Sequence, residues 1–585
     1  MAVAENDFFK SKVLGHPSGL FVLFFTEMWE RFSFYGMRSL LVMFLTAALI
    51  DGGWSWTREQ AMALFGSYVG LVYLSTMMGG YFADKKIGYR LAVVVGALLM
   101  TMGHAAMAVE TKFSIYLGLA LLVFGNGFFK PNMTSIISEM YKGHPEKKDG
   151  AYTIFYMGVN SGAFFGILLC GYLGEKVGWS WGFGLAGVFM LFGLIQFWLA
   201  QNIFGTIGLK PVKKDVAQLE KKPTEAGEDK LNPFTGGQLA LIGVMIILGL
   251  LWIIFEPAKL ISKGAIDIFS FEILGLSGNN FTILLALVLF IGLLIYRLSR
   301  YAAITRDKMI AVTFFAFLTI FFWAIFEQSP GTLTIFAKDY TDRVLEGGAG
   351  TTFKIINALI TVVPLGIITW VLLKLFGQTF KKYAVANLIL STSFVIVWCI
   401  ALWMLYNQFS EDTLEVPASW FSTLNSLFII SLAPLFSKWW ESKYNPSANI
   451  KYALGMSLLA LGMVAVAVGA SSITPGAKTA SVSMIWLILV YLFHTMGELC
   501  ISPVGLSYVS KLVPPRMIAV MFGIWYLAVA IGMKGAAKFG ENVDKIADEK
   551  GMSYFFWMLA GVAFVVAIIA VLFAPIIKKK MHGVK

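Results

Sequence analysis

Charge is scarce in this chain of 585 residues: 14% of it is Asp, Glu, Lys or Arg, against 58% hydrophobic residues. A soluble protein carries about 25% charged and about 45–50% apolar residues. Secreted, disordered, nucleic-acid-binding and soluble-enzyme classes are excluded on that ground. Cysteine is scarcer still. Cys170, Cys399 and Cys500 lie singly in apolar segments, which argues against a disulfide framework or a thiolate metal site and leaves them as small packing residues. Two histidines sit in apolar segments, His104 and His494, and neither has a second His or Cys at ligand spacing. They read as packing residues, so no metal, no other cofactor and no enzymatic activity is expected. A Gly-x-Gly-x-x-Gly or Walker-type phosphate loop is missing too, which leaves ATP-driven transport unsupported.

What the chain has is apolar length. Blocks of about 20 residues, enough to cross a hydrocarbon core of about 30 Å, recur throughout, as at 239–255 and 384–406. We read sixteen membrane helices; β-barrel strands would be shorter and would alternate. Residues 1–17 are mixed and polar, unlike a cleavable signal. An even number of crossings puts both termini on one side. Taking that side as cytoplasmic assigns 30 Lys and Arg to the inside and 12 to the outside, with Arg31, Arg38, Lys130 and Lys534 inside helices. The opposite orientation would invert the positive-inside rule. The net charge of +12 is therefore mostly membrane orientation, and no nucleic-acid partner is expected.

The longest polar stretch, within 204–236, reads as a cytoplasmic linker. Before it lies a six-helix bundle over 1–203. After it come ten helices, four more than a six-plus-six transporter needs. The surplus falls into two hairpins, 237–299 and 353–406, the second inserted in a C-terminal bundle made of 308–337 and 417–585. With few buried charges, the hairpins are expected to be peripheral. The fold class is thus all-α and integral to the membrane: two six-helix bundles plus two extra hairpins.

A charge at mid-membrane costs at least about 2.5–3.5 kcal/mol on insertion scales, so such residues cluster where they are paired or wet. In the first helix Glu27, Glu30, Arg31, Phe34, Tyr35 and Arg38 share one face by helical spacing. Glu27 and Arg31, four apart, can pair. Lys130 precedes Pro131 in the fourth helix, where the proline exposes carbonyls suited to a cavity wall. In the fifth, Gly158, Gly162 and Gly166 recur every four residues and permit close helix contact; Asn160 among them is either interhelical glue or a ligand contact. Trp323, Glu327, Asn425 and Glu498 lie inside apolar spans of the second half. A zwitterion fits between such walls, its carboxylate toward Arg31 and Lys130 and its ammonium toward Glu498. Carboxylates in low dielectric can carry protons near neutral pH. Opposite charges spread over both halves suit alternating access better than a channel filter.

These motifs resemble the proton-dependent oligopeptide transporter (peptide transporter) family of the major facilitator superfamily. The similarity rests on Glu27-x-x-Glu30-Arg31-Phe32-x-Phe34-Tyr35, on Phe155-Tyr156-x-x-Val159-Asn160-x-Gly162, on the run from Gly497-Glu498-Leu499 to Ser502-Pro503-Val504-Gly505-Leu506, and on the superfamily loop Gly80-Tyr81-Phe82-Ala83-Asp84-Lys85-Lys86-x-Gly88. The resemblance implies a major facilitator fold in a bacterial inner membrane, importing di- and tripeptides with protons, alongside membrane lipids and with no cofactor beyond the coupling ion. By that resemblance Arg31 and Lys130 receive the peptide carboxylate near Tyr35. Asn160, Asn425 and Glu498 hold the amino end and backbone, Tyr73 is a further contact, and Trp323 and Trp525 line side-chain pockets. Glu27, Glu30, Arg31 and Glu327 serve proton coupling and gating. A symporter of another small solute, such as nitrate or an amino-acid derivative, is the alternative.

The chain departs from the family in three places. Phe34 replaces a tyrosine of the signature. Gly66 stands where animal relatives have a coupling histidine, so proton handling falls to the carboxylates. The hairpin 353–406 has no counterpart in the bacterial pattern, which carries one hairpin like 237–299.

Overall fold

The computed structural model describes residues 10–211, 233–513 and 518–584. Residues 1–9 of the polar N-terminal stretch and most of the linker expected over 204–236 lie outside them. Within the described chain each of the sixteen expected segments is helical. The first six are α1 (Ser18–Thr46), α2 (Arg58–Phe82), α3 (Tyr89–Met107), α4 (Lys112–Met140), α5 (Lys148–Lys176) and α6 (Trp179–Ala200). Then come α7 (Gly236–Ile261), α8 (Gly278–Ser299), α9 (Ala303–Phe326), α10 (Gly347–Ser410), α11 (Thr423–Glu441), α12 (Ala448–Gly469), α13 (Ile485–Leu512), α14 (Ile518–Glu541) and α15 (Met552–Leu572). Thirteen described helices are apolar and long enough to cross a membrane by composition alone. α1 falls outside that group because Glu27, Glu30, Arg31 and Arg38 interrupt it.

Local chemistry sets several starts and breaks. Thr57, Thr111 and Thr235 cap α2, α4 and α7, each accepting from the third helical backbone N–H while residue Gln60, Ser114 or Gln238 reaches back. Pro330 follows α9, and the chain passes through a wide turn at Ser329–Leu333 into a short helix, Thr334–Tyr340. The two segments expected at 353–376 and 383–406 form one 64-residue stretch, α10, broken only at Tyr383 (φ −126°, ψ 41°). It folds back there, because Asn357 Nδ2 donates to Gln408 Oε1 at 2.8 Å and Asn387 Nδ2 to Thr379 Oγ1 at 3.0 Å.

Helices α1–α6 pack on one another, as do α9 and α11–α15. The two groups meet along α2 against α14 and α5 against α11. The first hairpin, α7–α8, lies on α2. The second, α10, is inserted in sequence among the later helices but packs in space on α6, α5 and α1, with Phe394 edge-on to Phe25 and Trp29. The glycine ladder of α5 presses on α1. A Cβ built on Gly162 would lie 2.2 Å from the Met28 carbonyl oxygen, and one on Gly166 2.2 Å from that of Phe32. Gly166→Leu is therefore expected to destabilise the protein by about 1–3 kcal/mol through overpacking, measured as a lowered thermal midpoint in detergent. Gly243→Leu, on α7 with nothing within 4 Å of its Cβ position, is expected to leave that midpoint unchanged.

Candidate functional site

α1 is buried on all sides rather than along one stripe. Among Ser18 to Leu45, Tyr35 alone is not buried. The reason is position: α1 touches α5, α6, α2 and α10, so its apolar faces meet protein, not lipid. Its charges are then fully enclosed and pair locally. Arg31 Nε donates to Glu27 Oε1 at 2.8 Å and lies 2.9 Å from Glu30 Oε2. Glu27 Oε2 and Glu30 Oε1 are buried without a hydrogen-bond partner among the described residues. One guanidinium thus serves two carboxylates and leaves oxygens over, a half-satisfied network that is expensive as mere packing.

Around this centre stand the other expected residues. The Lys130 ammonium sits over the Tyr73 ring, 4.5 Å from its centroid, and within electrostatic reach of Glu30. Arg38 stacks 5.9 Å from Phe34, 5.8 Å from Tyr35 and 5.6 Å from Phe65, so Phe34 keeps the cation–π contact a tyrosine would make and loses only a hydroxyl. Arg38 also forms an ion pair with Glu327 at the end of α9, which joins the two halves through two buried charges. In the second half Asn425 Nδ2 donates to Glu498 Oε2 at 3.0 Å and to Thr495 Oγ1 at 3.0 Å. Glu498 lies within electrostatic reach of Tyr35 and Tyr156, both from the first half, and Tyr35 is also within reach of Arg31, Arg38 and Tyr73. Charges from both halves, Arg31 and Arg38 from the first and Glu498 from the second, therefore act on Tyr35.

Some expected residues behave differently. Asn160 Nδ2 donates to the Tyr156 carbonyl of its own helix at 2.9 Å, which is no glue between helices. Trp525 is buried with its indole edge against Gly505 and near the Tyr452 hydroxyl. Trp323 is part-buried, edge-on to Phe322 and Phe326. His494 is buried and stacks on Phe326, and His104 is buried in contact with Gly187. Gly66 is explained sterically: a Cβ there would come 2.1 Å from the Ala537 Cβ, so α2 and α14 touch where a histidine could not fit.

Sequence reading missed the seams. One of the few buried charges expected in the hairpins reaches a seam, from α7. Its Glu256 is buried and pairs with Lys534 at 2.9 Å and with Lys538, both on α14. Arg58 binds Asp339 and Asp544, each at 2.7 Å. Glu175 accepts from the backbone N–H groups of Ala418 and Ser419, and Lys176 meets Glu415 at 3.0 Å. Burial pushes the Glu415 carboxyl up, but the hydrogen bond from Lys176 and the nearby Arg343 outweigh it and hold the group below the usual carboxylate range. These contacts lie at the start of α2 and toward the ends of α5, α7 and α14, the face opposite the start of α1. On the near side Tyr156, which faces the Glu498 charge, is 41% exposed. Partners so distant in sequence leave no local spacing to read; the clue available was Lys534, a lysine in an apolar span with no acid at helical pairing distance on its N-terminal side.

Comparison with known proteins identifies the family. The POT family (PTR2) model matches residues 90–221 and 395–558. The chain belongs to the POT family. Peptide transporter YePEPT of Yersinia enterocolitica subsp. palearctica serotype O:3 is 30% identical over 96% of this chain and 95% of its own. A di-/tripeptide transporter of Lactococcus lactis subsp. cremoris is 28% identical over 98% of each. A crystal structure of the peptide transporter POT in complex with sulfate superposes with a TM-score of 0.69 at 29% identity, covering 97% of both chains. A POT family transporter in complex with 5-aminolevulinic acid gives 0.70 at 25%, covering 97% of this chain and 98% of that one. As a POT family member this protein is a multi-pass membrane transporter with the major facilitator fold, and not an enzyme.

Proposed function

We propose that this POT transporter is a proton-coupled symporter that imports di- and tripeptides across a bacterial inner membrane by alternating access, with both termini in the cytoplasm. The observation that carries the proposal is that Arg31 and Glu498, from opposite halves, both act on Tyr35, the one residue of Ser18 to Leu45 that is not buried, while Lys130 stands over the neighbouring Tyr73 ring. A short peptide is a zwitterion a few ångströms long. Its carboxylate goes to Arg31 and Lys130, its ammonium to Glu498, and Asn425 fixes the Glu498 carboxylate in place. Tyr73, Asn160, Trp323 and Trp525 border the peptide's backbone and side chains. Charge-assisted hydrogen bonds supply both affinity and orientation.

Proton coupling falls to Glu27 and Glu30. Both share Arg31, so a substrate carboxylate arriving at Arg31 competes with them and favours protonation of whichever is displaced. That links peptide binding to proton uptake without any added group. Arg38 and Glu327 tie the halves together on the far side, and their pairing is the gate that must break when the cavity opens outward. Arg58, Glu175 and Lys176 add further contacts between the halves on the far side, which supports reading this state as closed there.

The test is acidification of the lumen of proteoliposomes on addition of solute. Di- and tripeptides are expected to acidify the lumen when the outside is acidic, and free amino acids are not. Acidification by 5-aminolevulinic acid or nitrate, with none by any peptide, would transfer the assignment to a symporter of another small solute.

A further inference from the structure

The first hairpin buries little of its first helix. Of the 26 residues of α7, three are buried, Ile253, Glu256 and Pro257, and they face the junction of α2 with α14. Glu256 is 4% exposed, and the Lys534 it meets is 3% exposed. Lys534 Nζ lies 2.9 Å from Glu256 Oε2, 3.0 Å from Ser67 Oγ and 3.4 Å from the Ala63 carbonyl oxygen, both of α2. Lys538 Nζ pairs with Glu256 Oε1 and lies 2.7 Å from Glu541 Oε2, while Glu541 Oε1 is 3.9 Å from Lys534. The Trp252 ring closes the lipid side, 5.5 Å from the Lys534 ammonium. Two ammonium groups and two carboxylates thus form an electroneutral quartet at a three-helix junction.

The quartet sits on the seam that alternating access has to work. α2 belongs to the first half and α14 to the second, and they approach so closely beside the quartet that Gly66 meets Ala537 and Gly70 meets Ile253 of the hairpin. Lys534 reaches across the seam to Ser67 only while its charge is balanced, since an uncompensated buried ammonium is strongly disfavoured. The balancing carboxylate comes from the hairpin.

We propose that Glu256 is a positioning residue for the transport cycle: from the hairpin it holds Lys534 and Lys538 on the α2–α14 seam and so favours the state closed on the far side. The proposal rests on the alternating-access reading above. It gives the hairpin a task, since removing it would leave Lys534 and Lys538 with Glu541 alone.

Seam opening can be read without transport. Met62 on α2 is buried, and its Cε sits where a Cβ on Gly540 (2.4 Å) or Gly331 (2.6 Å) would be, both in the second half. Met62→Cys in a Cys399→Ala background reports far-side opening through its reaction with a membrane-impermeant maleimide, using the full chain in proteoliposomes. Glu256→Gln is expected to speed labelling about tenfold or more, as when a buried pair loses one member. Glu256→Asp, which keeps the charge but shortens the reach, is expected to fall between the parent and Glu256→Gln. Glu256→Gln with Lys534→Met restores electroneutrality and is expected to return labelling to within about twofold of the parent, because one balanced Lys538–Glu541 pair remains. Parental labelling in both single variants, or a double variant as fast as Glu256→Gln, would overturn the proposal. Because the parent's labelling needs no substrate, failure of the peptide assignment would show in uptake and leave this result standing.

Discussion

Arg31→Ala is expected to abolish peptide uptake while leaving a folded, monodisperse protein. Truncating one partner of a buried, hydrogen-bonded charge pair costs about 2–5 kcal/mol, or roughly 30- to several-thousand-fold in affinity. Arg31 sits at the sum of three such relations. It pairs with Glu27 at 2.8 Å and stands 2.9 Å from Glu30, and in the proposed site it also takes the peptide carboxylate. Folding is expected to survive because Glu27 and Glu30, left without the guanidinium, can take up protons and become neutral rather than remain as buried anions. Arg31→Lys discriminates between charge and geometry. An ammonium keeps the charge but lacks the Nε that faces both carboxylates and the outer guanidinium nitrogens left for a peptide carboxylate, so partial binding with weakened coupling is the expected result. A folded Arg31→Ala protein that accumulates peptide at the parental rate would remove Arg31 from the substrate site.

Glu27→Gln and Glu30→Gln are each expected to lose proton-driven accumulation and to retain peptide counterflow. The substitution keeps the shape and removes the titration, so peptide can still bind and cross while no proton is carried in net. Counterflow needs only that the loaded carrier change face. The two residues are not equivalent. Glu27 accepts a hydrogen bond from Arg31 Nε through Oε1, whereas both oxygens of Glu30 are buried without a hydrogen-bond partner among the described residues. Glu30 is therefore expected to show the cleaner loss of coupling, and Glu27→Gln to weaken peptide binding as well. The measurement pairs uptake under an acid-outside gradient with labelled-peptide exchange at equal pH. Retained accumulation with lost exchange would contradict the assignment.

What could be read in advance followed from periodicity and local chemistry. The first-helix charges fall at helical spacing, and the structure pairs Glu27 with Arg31 as their separation of four suggests. The glycines of α5 lie every four residues and do press against α1. Helix number was legible because each crossing must satisfy its own backbone in lipid. Tertiary partners were not. Nothing in the sequence near Arg38 points to Glu327, nearly 300 positions on, and nothing near Lys534 points to Glu256. The reversal inside the hairpin expected over 353–406 takes a single residue, Tyr383, with helical backbone on both sides. Asn160 shows the opposite limit: a polar side chain in a helix can satisfy itself on the preceding turn, so its presence alone does not identify a contact.

The placement of α10 sets a mechanical condition on the cycle. The chain leaves the later helices, folds back along α6 and α1, and returns, so this hairpin rides with the half to which it does not belong in sequence. Its two connections therefore cross from one moving body to the other. Each is pinned by a brief strand pair, Thr341–Asp342 beside Val482–Ser483 and Val344–Leu345 beside Leu414–Glu415. In the alternating access proposed above, those few residues must flex like the straps of a hinge, and their length bounds how far the far-side mouth can swing.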